Sequence, residues 1–502
     1  MKITSRLIPS VLCAAVSWVG AAGCTSVPAD HGNPTIMGPL RLLKSNPRYF
    51  IDPAGHPVYL TGSHHWFSFQ DGGKSDPPPL FDYSEYLSFM ERHNHNFIRL
   101  WVKEQARWFP SADLHSDYYL SPMPYNRIGP GMARDGKPKF DLDQFNPAYF
   151  DRLRDRVVAA GARGIYVSIM LFNGWGVMPF EDLGLPGNPW LGHPFHRDNN
   201  VNGVDGDING NDQGDEVHTL GSDPRQVTRL KRQEAYVSKV IDTVNDLDNV
   251  LYEVGNEIVE ASTEWQYHIV RYVKAYEAVK PKQHPVGMTF QGMQGGAAPH
   301  NYSLWDSPAD WISPGTREAP GDPLTMSYRE DPPVASHAKV IITDTDHLWG
   351  VGGDRVWVWK SFMRGLNPIY MDPYGRQDQP KADESARRAM GDTLIFAGQI
   401  NLALMEPRPE VSSTTYCLAQ QNREYLIYVP PPSEASSTTQ SSRTITVDLP
   451  AREFHMNWFN PETGERMSGN LVARVGGNLF TVPYPGDAVL HLVSIEDRAG
   501  NK

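Results

Sequence analysis

Several runs of apolar residues in this chain end abruptly in groups that can do chemistry. The stretch NVLYEVGNEI (249–258) begins β-branched and aromatic, as a strand buried on both faces does, and stops in Gly255, Asn256 and Glu257. KVIITDTDH (339–347) follows the same plan and ends in Asp344, Asp346 and His347. Residues two apart on a strand share a face, so Asp344 and Asp346 are expected to point the same way. NFIRLWV (96–102) closes on Arg99 and Trp101, PVYLTGSHHW (57–66) on His64, His65 and Trp66, and GIYVSIMLFNGW (164–175) on Asn173 and Trp175. Acids at the ends of buried parallel strands stand at the mouth of a sheet or barrel, where α/β enzymes keep their chemistry. A lone Asn-Glu pair in such a place is more often a solvated strand end; the surrounding groups make the case here. Zinc is set aside, because the adjacent His64 and His65 face opposite ways on a regular strand and cannot hold one ion together.

Strand ends need a scaffold, and the chain repeats one. Helices are expected after Asp82, after Asn146-Pro147 and after Asp223-Pro224, each with apolar residues at helical spacing behind a capping residue. A further helix carries Trp265, Ile269, Val273 and Tyr276. The remaining strands are HPVGMTF (284–290), ADWIS (309–313) and LNPIYMDPY (366–374), and a last helix spans 383–405. Eight strands with crossover connections predict an α/β fold, a (β/α)8 TIM barrel over 41–405 with enlarged loops at 106–143 and 176–222. Past 405 short strands dominate, broken by PPPSEASSTTQSS (430–442), and predict a small antiparallel β-sandwich over 406–498.

Bulk properties narrow the partners. The net charge of −12 on 502 residues argues against nucleic acid or an anionic membrane surface. Lys2 and Arg6 precede an apolar run over 7–22, too short for a spanning helix, which ends in GAAGCTS. This resembles the signal peptide of a bacterial lipoprotein over 1–23, with Cys24 acylated and a polar tether over 24–40; Ala21 stands where leucine is usual. Plain secretion after cleavage nearby is the alternative. Cys13 lies within the leader and Cys417 is left alone, so no intrachain disulfide is expected.

NFIRLW, LYEVGNE and the acid after VIIT resemble the second, fourth and seventh strands of clan A glycoside hydrolases such as family 5. The resemblance implies Glu257 as general acid/base, an acid ending the seventh strand as nucleophile, and Arg99 and Asn256 beside them. Asp344 matches the motif position and is favoured as the attacking acid. The family has glutamate there, so Asp346 stays open for that role, and so does inversion. Glu253 is read as structural. The layout is similar to the apiosidase-like branch, whose barrel carries a C-terminal sandwich of the collagen-binding type, which WFNPETGE (458–465) resembles.

Cleaving a glycosidic bond takes one carboxyl to protonate the leaving oxygen and another to attack or to activate water. The implied function is an exported, membrane-anchored hydrolase of a polysaccharide or oligosaccharide, with no cofactor needed for the chemistry. His64, His65, Trp66, Trp101, Asn173, Trp175 and His347 are then expected to contact the sugar. A catalytically silent glycan- or matrix-binding surface protein is the alternative. Separately, DGDINGNDQGDE (205–216) fits a calcium-loop spacing through Asp205, Asp207, Asn209 and Glu216, though Asp212 falls where that loop wants an apolar residue.

Overall fold

The computed structural model describes residues 36–109, 118–177, 187–292, 301–317, 327–335, 338–376, 381–432 and 443–495. The leader, Cys24, most of the tether and residues 433–442 lie outside them. The eight barrel strands fall where the buried runs predict them, mostly shorter. They are β1 (Gly62–His64), β2 (Phe97–Leu100), β3 (Tyr166–Asn173), β4 (Val250–Asn256), β5 (Val286–Thr289), β6 (Trp311–Ser313), β7 (Val340–Asp344) and β8 (Asn367–Met371). All eight form one parallel sheet, and a parallel bridge from His65 to Leu100 brings β1 back to β2. The result is a nearly closed barrel. Every residue of β3 and β4 is buried, which is why their sequences run apolar without alternation.

Helices α1 (Tyr83–Arg92), α2 (Pro147–Gly161), α3 (Pro224–Val244), α4 (Thr263–Glu277), α5 (Arg355–Met363) and α6 (Glu384–Gln399) belong to this layer. Their starts are fixed locally: Asp82, Asn146 and Asp223 each accept a bond from a backbone N–H two or three residues on. Pro147 and Pro224 occupy first-turn positions, where the missing N–H costs nothing. Val237, Val240, Ile241 and Val244 of α3 join the main core, each such burial contributing roughly 1.5–3 kcal/mol.

The described part of the expected loop 106–143 is structured. It holds an antiparallel hairpin, Tyr125–Met132 against Pro138–Phe145, that turns through Asp135-Gly136. Gly136 sits at φ +77°, a conformation that side chains resist, so the Asp-Gly pair was a hairpin signal hidden among other glycines. Tyr125 and Phe140 of the hairpin pack with Trp190, Phe195 and Val217 from the second long connection, giving the two insertions a small core of their own.

The C-terminal strands are β9 (Cys417–Gln420), β10 (Glu424–Val429), β11 (Thr444–Leu449), β12 (Glu453–Phe459), β13 (Arg466–Val472), β14 (Gly476–Thr481) and β15 (Ala488–Ser494). One antiparallel sheet runs Glu406–Pro407, β9, β10, β15, β12, β13; β11 and β14 form the other. β11 alternates exposed and buried, turning Ile445, Val447 and Leu449 into a core shared with Ile427, Trp458 and Leu490. β13 is an unexpected addition: an exposed, mostly polar edge strand has no apolar alternation to read. An aromatic seam joins this region to the barrel. Trp359 of α5 stacks on Tyr428 at 6.0 Å, Phe396 of α6 meets Phe459 at 5.3 Å, and Arg355 bonds Asp487 at 3.0 Å.

Candidate active site

Arg99 is the hub of the barrel mouth. Its Nε and Nη2 donate to the two oxygens of Glu253 at 2.9 and 2.5 Å, Nη2 also donates to Asn256 Oδ1 at 2.7 Å, and Nη1 to Asp344 Oδ2 at 2.6 Å. All four side chains are fully buried, so the charges must be paired as they are. Glu253 is the forked partner that holds the guanidinium in place, as its strand position suggested.

Asp344 ends β7 and caps the four-residue helix Thr345–Leu348, its Oδ1 accepting from Asp346 N at 2.9 Å. The same oxygen accepts from His64 Nε2 at 2.8 Å. The donor assignment follows from Trp101, whose indole N–H bonds His64 Nδ1 at 2.8 Å. An indole can only donate, so Nδ1 carries the lone pair and Nε2 the proton. Burial raises the Asp344 carboxyl, but His64 and Arg99 outweigh it and hold the group well below the usual carboxylate range. It is ionised, enclosed and fully bonded.

Asp346 therefore does not share a strand face with Asp344. The backbone has already turned into the helix, and the period-two argument fails one residue early. Its side chain keeps 11% exposure, and its Oδ2 has no hydrogen-bond partner among the described residues; Arg99 stands 3.9 Å away. Glu257 follows β4 with φ +49°, a left-handed conformation that a β-unbranched acid adopts at some cost. Trp175 Nε1 donates to its Oε2 at 2.6 Å. Gly174 lets that tryptophan approach, since a Cβ there would run into the carbonyl of Glu257.

An oxygen of Glu257, an oxygen of Asp346 and a ring nitrogen of His347 lie within 4.8 Å of one another. Two carboxylates that close repel by about 3 kcal/mol or more at an effective dielectric of about 20, so the pair retains a proton that isolated acids would lose. Burial, opposed mainly by the Trp175 bond, raises Glu257 to about 7; burial and the charge of Glu257 push Asp346 well above its ordinary value. His347 completes a three-group cluster that could suggest a metal, but its bonds argue otherwise. Asn256 Oδ1, already turned to Arg99, faces His347 Nε2 at 3.1 Å, so that nitrogen bears a proton and cannot ligate. Ser313 Oγ supplies the bond to Nδ1 at 2.9 Å.

Other expected sugar contacts turn out to be supports. Trp101 is buried and serves His64. Asn173 is buried too, giving Nδ2 to Val102 O and accepting from Trp175 N, so it positions the tryptophan that holds Glu257. His65 points away from the acids, stacked on Phe81 at 5.0 Å, and burial lowers its pKa to about 3. Trp66 remains half-buried beneath the guanidinium of Arg376, 5.2 Å from its ring. Asn256 Nδ2 has no hydrogen-bond partner among the described residues, which leaves its two N–H donors open next to Glu257 in the chain.

Lys103 went unread in the sequence. It lies 4.5 Å above the Trp101 ring, and burial brings its ammonium down to about 8. Nothing in WVKEQ distinguishes it from a solvated lysine at a strand end.

The stretch with the calcium-loop spacing, 205–216, is organised by side chains of its own. Asp207 accepts from the backbone N–H groups of Gly210, Asn211 and Asp212, while Asp205 receives only Asp207 N. The loop is centred two residues later than the spacing implied. Two of its glycines make room for Trp190: a Cβ on Gly206 would come within 2.8 Å of the indole, and one on Gly214 would overlap it, whereas Gly210 stands in open space at φ +76°.

A barrel with acids at its C-terminal mouth defines an α/β enzyme architecture, and comparison with known proteins narrows it. A family model described as a domain of unknown function (DUF6298) matches residues 92–293, which include Arg99, Lys103, Trp175 and Glu257 but stop short of Asp346. No curated protein matches the chain. Among solved structures, one titled simply glycoside hydrolase aligns over 91% of this chain and 97% of its own, with a TM-score of 0.57 and 13% identity. A glycoside hydrolase family 5 protein from Bacteroides vulgatus aligns over 92% and 94%, with a TM-score of 0.55 and 14% identity. The fold is thus one that solved glycoside hydrolases share.

Proposed function

We propose that this protein is an exported glycoside hydrolase that cleaves O-glycosidic bonds of a polysaccharide or oligosaccharide with retention of configuration. The observation that carries the reading is the opposed pair Glu257 and Asp346, within 4.8 Å at the barrel mouth. Retaining enzymes hold their two carboxyls about 5–5.5 Å apart, whereas inverting ones leave roughly 6.5–9.5 Å for a water. Asp346 replaces Asp344 as the attacking acid, because only Asp346 has an unbonded oxygen. In this reading the proton that the pair retains rests on Glu257 and the charge on Asp346; Arg99, 3.9 Å from that oxygen, attracts the charge, although it acts on Glu257 as well. Glu257 then protonates the leaving oxygen as Asp346 attacks the anomeric carbon, breaking the glycosidic bond and forming a glycosyl ester. In the second half, Glu257 takes a proton from water, which displaces Asp346 and regenerates both groups.

The test is a panel of polysaccharides and aryl glycosides with the product anomer followed by NMR. First-formed product of inverted configuration would overturn the retaining assignment, and no cleavage of any member would favour the silent binder. Because the donor works only while protonated, kcat/KM is expected to fall as pH rises through about 7. The Trp175 bond favours ionised Glu257, so Trp175→Phe should move that alkaline limb to higher pH. An unmoved limb would remove Trp175 from this role.

Anchoring by lipid on Cys24 is part of the same proposal. Cys24→Ser is expected to shift the protein from the membrane fraction to the soluble one, and equal distribution of the two forms would count against acylation.

A further inference from the structure

Glu104, just past β2, is a nearly buried carboxylate, 9% exposed, that takes no part in breaking the glycosidic bond. Two histidines from the second long connection hold it. His193 Nδ1 accepts from Phe195 N at 3.0 Å, so Nε2 carries the proton and donates to Glu104 Oε2 at 3.2 Å. His218, buried against Trp265 and Phe172, brings Nε2 to 3.0 Å from Oε1, a close approach without hydrogen-bond alignment. Burial raises the Glu104 carboxyl, but His218 and then His193 outweigh it and bring the group down to about 2. The phenols of Tyr125, Tyr149 and Tyr236 stand close enough to feel its charge.

The remaining partner of this carboxylate leads to the acid pair. Asn173 N, at the end of β3, donates to Glu104 Oε1 at 2.8 Å. The Asn173 side chain bonds Val102 O and accepts from Trp175 N. Gln105 crowds the far side of the same turn, its Oε1 lying 3.0 Å from where a Cβ on Gly176 would stand. Gly174–Gly176 is thus fixed against residues 102–105, and Trp175 between them donates to Glu257 Oε2 at 2.6 Å. We propose that Glu104 is a positioning residue for the proton donor: held by His193 and His218, it fixes the turn that aims the Trp175 indole N–H at Glu257. This rests on the hydrolase reading for what Glu257 does, and it gives the second long connection a part in the chemistry. The competing account is that Glu104 only staples that connection to the barrel. A staple would set the melting temperature and leave Glu257 as it was.

The sign of the change at Glu257 separates the two. The charges acting on Glu257 are those of Arg99, Asp344 and Lys103, with Asp346 opposite. Taking another carboxylate out of the neighbourhood would by itself ease ionisation of Glu257. Loosening the Trp175 bond does the reverse, because that bond favours the ionised form. Glu104→Ala is therefore expected to move the ionisation of Glu257 up by roughly one pH unit, as loss of a charged hydrogen bond does. Glu104→Gln keeps an acceptor for Asn173 N and should leave it in place or lower it. The readout is the indole N–H resonance of Trp175 in protein with isotope-labelled tryptophan, identified by its loss in Trp175→Phe and followed against pH without substrate. In the wild type it should titrate with Glu257 at about 7, and in Glu104→Ala the midpoint should rise. The alkaline limb of kcat/KM should rise with it. Glu104→Ala combined with Trp175→Phe should move that limb no further than Trp175→Phe alone, since both act at one bond. Should the alanine variant not fold, His218→Phe removes the larger hold on Glu104 and should give a smaller rise. A midpoint that stays or falls in these variants, or additive shifts in the double variant, would overturn the proposal. The expected titration without cleavage of any glycoside would leave Glu104 in its positioning role and remove the hydrolase instead.

Discussion

Glu257→Gln is expected to lower turnover on a glycoside with a poor leaving group by roughly 10²–10⁴-fold, the usual worth of a positioned proton donor. Fold should be retained, because the amide has nearly the shape of the acid and can still accept from Trp175. The loss should shrink for bond breaking with activated aryl glycosides, whose leaving groups depart without a proton. Stopped-flow measurement of the first turnover against leaving-group pKa makes that comparison directly. Full activity of the glutamine variant on a natural substrate would sink the assignment of Glu257.

The second expectation separates two acids that stand two residues apart. Asp346→Ala should abolish turnover on every leaving group, since the attacking oxygen is gone, and should leave the melting temperature almost unchanged because Oδ2 of Asp346 has no hydrogen bond to the described residues. Azide should restore turnover, giving a glycosyl azide of inverted configuration. Asp344→Asn should behave in the opposite way. It removes a buried charge that Arg99 and His64 both require, a kind of lesion that costs about 3–5 kcal/mol. The variant should melt several degrees lower, with no azide rescue. A stable Asp344→Asn protein that azide reactivates would return the attacking role to Asp344.

The barrel was legible because its strands are buried on both faces, so that Tyr166–Asn173 and Val250–Asn256 could hardly be anything else. The placement of Glu257, Arg99 and Trp175 at the barrel mouth followed from their standing at the ends of such runs. What escaped was every feature decided by a change of backbone direction. Asp346 was read as one more strand residue, although the aspartate before Thr-Asp, Asp344, both ends the strand and caps a helix. The supporting roles of Trp101 and Asn173 could not be read at all, since a buried indole and a platform for sugar have the same letter. The hairpin at Tyr125–Met132 was masked by the Pro and Gly content around its turn. The packing of Gly206 and Gly214 against Trp190 could not be read, since Trp190 lies outside their stretch.

The aromatic seam between α5, α6 and the terminal sheets bears on how this architecture can be inherited or rebuilt. Trp359 and Phe396 are buried residues of the barrel's outer helices, and their ring partners, Tyr428 and Phe459, come from the far end of the chain. A portable cassette needs a boundary that can be cut without exposing rings, and no such boundary runs here. Recombination that exchanged only residues beyond 405 would strand an indole and a phenyl ring in water on one side and leave their counterparts unmatched on the other. The terminal sheets are therefore transferable only together with α5 and α6.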